Sequence, residues 1–195
     1  MTFRRIVIIQ GHPDPASDHF CHALARSYRD GAIAEGHEVR TIDVAGLDFP
    51  VLRSKREWEA EPLPASLALA QEEIRWAEHL LVVFPLWLGD MPALLKAFFE
   101  QVARPGFARG AAVNGAPGKK LLEGRSARVV VTMGMPAFVY RWFFAAHSVK
   151  SLERNILGFS GIAPVRRSLV GLVEGSSPGR KRWLHRLATF GRHGT

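Results

Sequence analysis

Short runs of β-branched and aliphatic residues alternate along this chain with stretches whose apolar positions recur every three or four residues. RRIVIIQG (4–11) is apolar at successive positions, the pattern of a strand buried on both faces. Phe20, Leu24, Tyr28 and Ala32 follow at four-residue spacing, which predicts a helix entered near Ser17 or Asp18 as N-cap and closed by Glu35-Gly36-His37. EVRTIDV (38–44) reads as a second strand. Residues 45–63 form an excursion, helical spacing returns over 65–78, and HLLVVFPLW (79–87) holds a third strand ending near Phe84-Pro85. MPALLKAFFEQVAR (91–104) is amphipathic, with Pro92 in its first turn. Its Phe98 and Phe99 are adjacent, so the helical period sends only one of them into a core and offers the other to an interface. Beyond a Gly-rich loop at 105–125 come a fourth strand (126–134), a helix (148–161), a weaker fifth strand (163–173) and a basic helix (177–191).

Strands that alternate with helices build a parallel sheet covered on both faces. Five strands in 195 residues suit one doubly wound α/β domain spanning 1–195, a three-layer sandwich with strand order 2-1-3-4-5. With 47% hydrophobic and 23% charged residues the chain has the composition of a packed globule rather than of a disordered one. It has no 18-residue apolar run, and its single cysteine can form no internal disulfide, which reads as a cytoplasmic protein. The net charge of +8 is uneven: residues 165–195 carry seven Arg or Lys against one acid, Glu174. Such a tail could meet an anionic cofactor, a membrane surface or nucleic acid. With little aromatic interleaving beyond Trp183, it reads as a solvated basic helix and not as a nucleic-acid surface.

In a doubly wound sheet, ligands bind beyond the carboxyl ends of the strands, beside strand 1. That rule selects the loops 11–20, 85–91 and 132–140. The first, within GHPDPASDHFCHAL (11–24), leads into a helix N-terminus that favours an anion, and His12 and the Ser17 hydroxyl can both donate to a phosphate. Neither GxGxxG nor GxxxxGK[ST] is present. His12-Pro13-Asp14 also resembles the HPDDE loop of zinc-dependent deacetylases, but Pro15 stands where a metal-ligating aspartate would be, so no metal is expected. Cys21 could be a nucleophile only with a base beside it. His22, next to it in sequence, points elsewhere on a helix, so Cys21 reads as a packed residue. The second loop, FPLWLGDMPALLK (84–96), sets a rigid Pro85-Leu86-Trp87 segment and exposed main-chain N–H groups beside a flat apolar wall, which suits a planar, polar-edged heterocycle. Gly89 permits close approach or a positive φ. In the third, TMGMPAFVYR (132–141), Tyr140 and the nearby His147 could donate to an anion developing on a ligand.

At these loops the chain resembles the flavodoxin-like NAD(P)H:quinone oxidoreductases, the DT-diaphorase family, which includes the ancillary subunits of glutathione-gated potassium efflux systems. The resemblance rests on GHP…S…F.HAL (11–24), FPLWLGDMPALLK (84–96) and TMG…Y (132–140), and runs from Ile6 to about Gly161. It implies a flavodoxin-like fold and a bound flavin, FMN or FAD, with His12, Ser17 and Phe20 on its phosphate and ribityl side. Pro85, Leu86, Trp87 and Leu88 would line the ring, Thr132, Met133 and Gly134 its pyrimidine edge, and Tyr140 and His147 would serve catalysis. It further implies hydride transfer from NAD(P)H through the flavin to a quinone or similar small aromatic acceptor, in a homodimer that helix 91–104 could help to form. Asp18-His19 look inserted against the family pattern, and TMGM replaces its TTGG. The rival function is an ancillary subunit with little turnover, docked on a membrane or transporter through the basic tail and its Trp183, Leu184 and Leu187.

Overall fold

The computed structural model describes residues 3–16, 18–60, 62–111 and 118–195. Five strands, β1 (Arg5–Gln10), β2 (Glu38–Asp43), β3 (His79–Pro85), β4 (Ser126–Thr132) and β5 (Val165–Val170), form one parallel sheet in the order β2-β1-β3-β4-β5. The expected topology is therefore the observed one. Between the strands run α1 (Phe20–Ala34), α2 (Lys55–Ala60), α3 (Ala65–Trp76), α4 (Ala93–Val102), α5 (Ala137–Trp142) and α6 (His147–Ser151). The last continues through a π-wound Leu152–Leu157 into α7 (Gly158–Ser160), and α8 (Ser177–Arg192) follows β5. Neither α2 nor α5 was expected from the pattern, which marked their segments as excursion and loop.

Strand alternation sorts the core into two layers. Val7, Ile9, Val82, Phe84, Val129 and Val131 face a core closed by α3, α4 and α6. Ile6, Ile8, Leu81, Val83 and Val130 face a second core under α1 and α8. Phe98 and Phe99 are both buried in the first core, edge to face with ring centroids 5.5 Å apart. The helical period fails to separate them because the first core wraps around α4, with Phe107 and Ala108 of the following loop buried in it too. The apolar face of α4 is thus consumed internally, and neither phenylalanine is left outward for the interface foreseen there.

Helix α8 also turns its apolar side inward. Leu187 is fully buried, and Trp183 and Leu184 pack in part against the second core, so the docking face foreseen for them is turned partly inward, with Trp183 still bordering an outer groove. The two helices touch backbone to backbone: a Cβ on Gly31 would lie 2.1 Å from the Ala188 carbonyl oxygen, and one on Gly191 would lie 2.0 Å from that of Tyr28. Backbone on both sides cannot yield. Gly191→Ala should therefore lower the unfolding free energy by about 1–3 kcal/mol by overpacking, despite alanine's better helix propensity, as read by urea denaturation.

At the opposite end of the sheet, His79 opens β3, its ring parallel to that of Tyr28 at 6.4 Å and its Nδ1 2.7 Å from Ser126 Oγ. Burial, reinforced by the charges of Arg4 and Arg128, drives its pKa down to about 3. The unfolded chain takes up a proton near the ordinary histidine value that the native protein refuses, so stability falls as pH falls through that value. Between about pH 6.5 and 5, above the carboxylate range, His79 should contribute a loss of up to ~1.4 kcal/mol per pH unit. Denaturation curves across that window should be flatter for His79→Asn than for the parent chain.

Candidate functional site

The strand ends that the switch-point rule selects do meet. Past the end of β1, Gly11 N–H donates to the Val83 carbonyl at 2.8 Å; past β3, Leu86 N–H donates to that of Thr132 at 2.8 Å; past β4, Met133 N–H donates to that of Val170 at 2.9 Å. Each loop therefore leaves the sheet pinned to its neighbour. His12 and Trp87 come together edge to face, with centroids 6.1 Å apart.

His12 is buried, and its amide donates to Gln10 Oε1 at 3.2 Å. Its Nδ1 sits 3.2 Å from both the Asp14 N–H and the Asp14 carbonyl oxygen, which fixes the ring whichever tautomer is present. The His19 ring stacks on it at 4.0 Å and is held by Asp14, Nε2 to Oδ2 at 2.9 Å, while Asp14 Oδ1 accepts the Ala16 N–H. Burial, then the adjacent His19, lowers the His12 pKa. The Asp18-His19 segment thus has a role: His19 covers His12. It is also the N-cap position of α1, without a capping side-chain bond, so the helix starts one or two residues later than expected. Ser17 lies outside the described residues.

The second loop closes as a tight turn. Trp87 and Asp90 exchange both backbone hydrogen bonds at 2.9 Å, and Leu88 and Gly89 between them have φ of +48° and +83°. Positive φ at both central positions is a type I′ turn, where Asn-Gly is the usual occupant. Leucine in that conformation is strained, and its side chain is fully exposed, at 109%. Folding gains nothing from an apolar side chain so placed, which makes Leu88 the most direct sign of a ligand surface. Beside it Trp87 is half exposed, Leu86 is half-buried and Pro85 is buried. Of the N–H groups expected to face a ligand, those of Leu86 and Trp87 are consumed within the protein. Those of Leu88 and Gly89 make no hydrogen bond among the described residues.

The third loop differs from expectation. Thr132 is buried and shares a hydrogen bond of 3.0 Å with Cys21 Sγ, and Met133 is buried; only Gly134 reaches the surface. Tyr140 lies on α5 facing the first core, fully buried, its hydroxyl 2.7 Å from Ser148 Oγ. Its phenol therefore does not face the ligand surface in this chain. Pro136 starts a helix here, and the helix carries Tyr140 inward while leaving Phe138 and Trp142 exposed. His147 is exposed at the start of α6. Cys21, as foreseen, is a packed thiol, which burial pushes up to about 12. Phe20 lines a hollow of about 220 Å³ at the start of α8, with Leu172 and Arg180, residues that no motif pointed to. Among the described residues no group of three His, Cys, Asp or Glu could hold a metal ion.

These features define an α/β protein with a candidate ligand surface at the carboxyl ends of β1, β3 and β4. A family model described as flavodoxin-like fold matches residues 4–189, and the chain belongs to that family. A ribosyldihydronicotinamide dehydrogenase-like protein of Penicillium crustosum is 28% identical over 155 residues, 67% of this chain and 57% of its own length. The glutathione-regulated potassium-efflux system ancillary protein KefG of Escherichia coli is 37% identical over 76 residues, 38% of either chain. The chain thus spans little more than half, or less, of these relatives. Among solved structures, the NAD(P)H:quinone oxidoreductase of Methanothermobacter marburgensis superimposes with a TM-score of 0.80 at 23% identity, covering 98% of this chain and 97% of its own. That likeness shows the shared fold.

The turn makes a direct forecast. Leu88→Asn should raise the unfolding free energy by about 1 kcal/mol, since asparagine tolerates the left-handed conformation. If Leu88 serves only folding, the same substitution would lower it.

Proposed function

We propose that this chain is a flavin-dependent NAD(P)H dehydrogenase acting on a quinone or similar flat aromatic acceptor. The observation that carries this reading is the exposed, strained Leu88 beside Trp87, with His12 held at the neighbouring helix entrance. A planar ring fits that surface: Trp87 and Leu88 supply apolar area, and the free N–H groups of Leu88 and Gly89 suit its polar edge. His12, ordered by Gln10, Asp14 and His19, would donate to the phosphate, with Ser17 and the start of α1 nearby in sequence. Bound there, the flavin would supply hydride transfer between nicotinamide and acceptor. The chain's own part is to orient the ring, to hold its phosphate and to stabilise negative charge through main-chain donors and Gly134. His147 is the exposed member of the foreseen catalytic pair. Tyr140 would act through Ser148, setting the direction of α5. The names of the Penicillium and Methanothermobacter proteins support the reading.

The surface is open on a single chain, with Trp87 and Leu88 exposed on it. A homodimer that covers this surface is part of the proposal. The partial match to KefG favours a second reading, a flavin-binding ancillary subunit with little turnover.

Purified protein incubated with FMN or FAD and desalted should be yellow, and should oxidise NAD(P)H steadily with a quinone. His12→Gln should weaken flavin retention about ten-fold, the worth of one charge-assisted hydrogen bond. Flavin bound without turnover would select the second reading. A chain that stays colourless would exclude both.

A further inference from the structure

Away from this surface, a groove of about 610 Å³ opens along the free edge of β5, between α5 and α8. Arg128, Arg141, Arg167 and Arg186 line it, and no acidic residue does. Two of the four are already committed. Arg167 pairs with Glu153 at 3.0 Å, and Arg128, buried on β4, donates to Ser168 Oγ at 2.9 Å and to the Thr195 oxygen at 2.7 Å. Arg141 and Arg186 are exposed and make no hydrogen bond or ion pair among the described residues.

Flat apolar groups accompany these cations. The Arg141 guanidinium lies over the Trp142 ring at 5.6 Å, that of Arg186 over Trp183 at 4.6 Å, and that of Arg128 over Phe190 at 3.7 Å. Trp142 is 76% exposed. The aromatic interleaving absent from the basic tail in sequence is thus supplied in space by α5. Stacked rings and guanidinia beside unpaired positive charge are the chemistry that receives a nucleobase with its phosphates.

Two other occupants fit less well. An added β-strand would need an inviting edge, whereas β5 presents Arg166 and Arg167, charges of the kind that discourage strand addition. An acidic peptide would also leave the exposed ring of Trp142 without a flat partner. A nucleic-acid strand needs a track of cations, and the groove offers two free ones, enough for one diphosphate. The volume lies in the range of small-ligand sites.

We propose that this groove is a second ligand site, for a nucleoside phosphate, with Arg141 and Arg186 on the phosphates and Trp142 and Trp183 beside the base. It does not depend on the flavin reading. Calorimetric titration with ADP, in the presence of saturating FMN, tests it. ADP should bind, and Arg141→Glu and Arg186→Glu should each weaken it at least about ten-fold, as the loss of a charge-assisted contact requires, while FMN binding stays unchanged. Trp142→Ala should weaken ADP but not pyrophosphate. The proposal is overturned if ADP fails to bind, if FMN displaces it, or if the charge reversals leave it unaffected. It is equally overturned if pyrophosphate, an acidic peptide or a thymidine decanucleotide binds more tightly than ADP. Should the parent chain take up no FMN yet bind ADP through Arg141 and Arg186, the flavin reading fails and this one stands.

Discussion

Three backbone hydrogen bonds just beyond the ends of the strands set the geometry on which the candidate ligand surface depends. Gly11 to Val83, Leu86 to Thr132 and Met133 to Val170 prolong the parallel ladder into each loop, so that the loops start from fixed neighbours. Parallel pairing makes this possible, because every strand runs the same way and all the exits lie on one edge. Close packing holds the first exit down: a Cβ on Gly11 would meet Leu95 of α4 at 2.6 Å. Only with its first residues anchored can the second loop afford a type I′ turn that carries a leucine at positive φ.

The polar side chains near these exits divide into those consumed inside and those left outward. Thr132 bonds Cys21, and Tyr140 bonds Ser148. Buried hydroxyls need partners, and the nearest ones available are internal. What remains at the surface is chiefly main chain, aromatic face and the His12 ring. Such a surface recognises a ring by shape and by a few donors, which suits a cofactor that brings its own reactivity.

The fold was legible because its signal is periodic. Unbroken apolar runs mark strands buried on both faces, and one face per helix marks the layers, so that even the strand order could be written down beforehand. The loop positions were legible for the same reason, since they follow from where strands end. Side-chain direction within them was not. Tyr140 matched a motif spacing, but whether a tyrosine eight residues past Thr132 turns inward depends on whether Pro136 opens a helix, and the intervening MPAFV supports helix or loop equally well. Phe98 and Phe99 misled in the opposite sense: an isolated helix has one buried face, and a helix wrapped by its neighbours has more. The strain at Leu88 was half visible, as Gly89 signalled a positive φ without showing that the residue before it shares one.

The basic excess shows how far a net charge is from a binding surface. Several arginines are structural. Arg125 donates to the carbonyls of Ile74 and Arg75 at the end of α3, Arg109 to those of Phe159 and Gly118, and Arg180 to those of Val173 and Gly175. These guanidinia satisfy carbonyl groups that turns and helix ends leave without partners, with multiple donors suited to the task. Burial and, beyond it, the nearby Arg166 and Arg186 pull the Arg128 pKa down to about 10, the mark of cations crowded with too little opposing charge. A basic composition therefore becomes informative only after the arginines that cap carbonyls or pair with acids are set aside. Those left lining the groove beside β5 are few and flanked by rings, and it is this residue of the charge, not its sum, that can select a ligand.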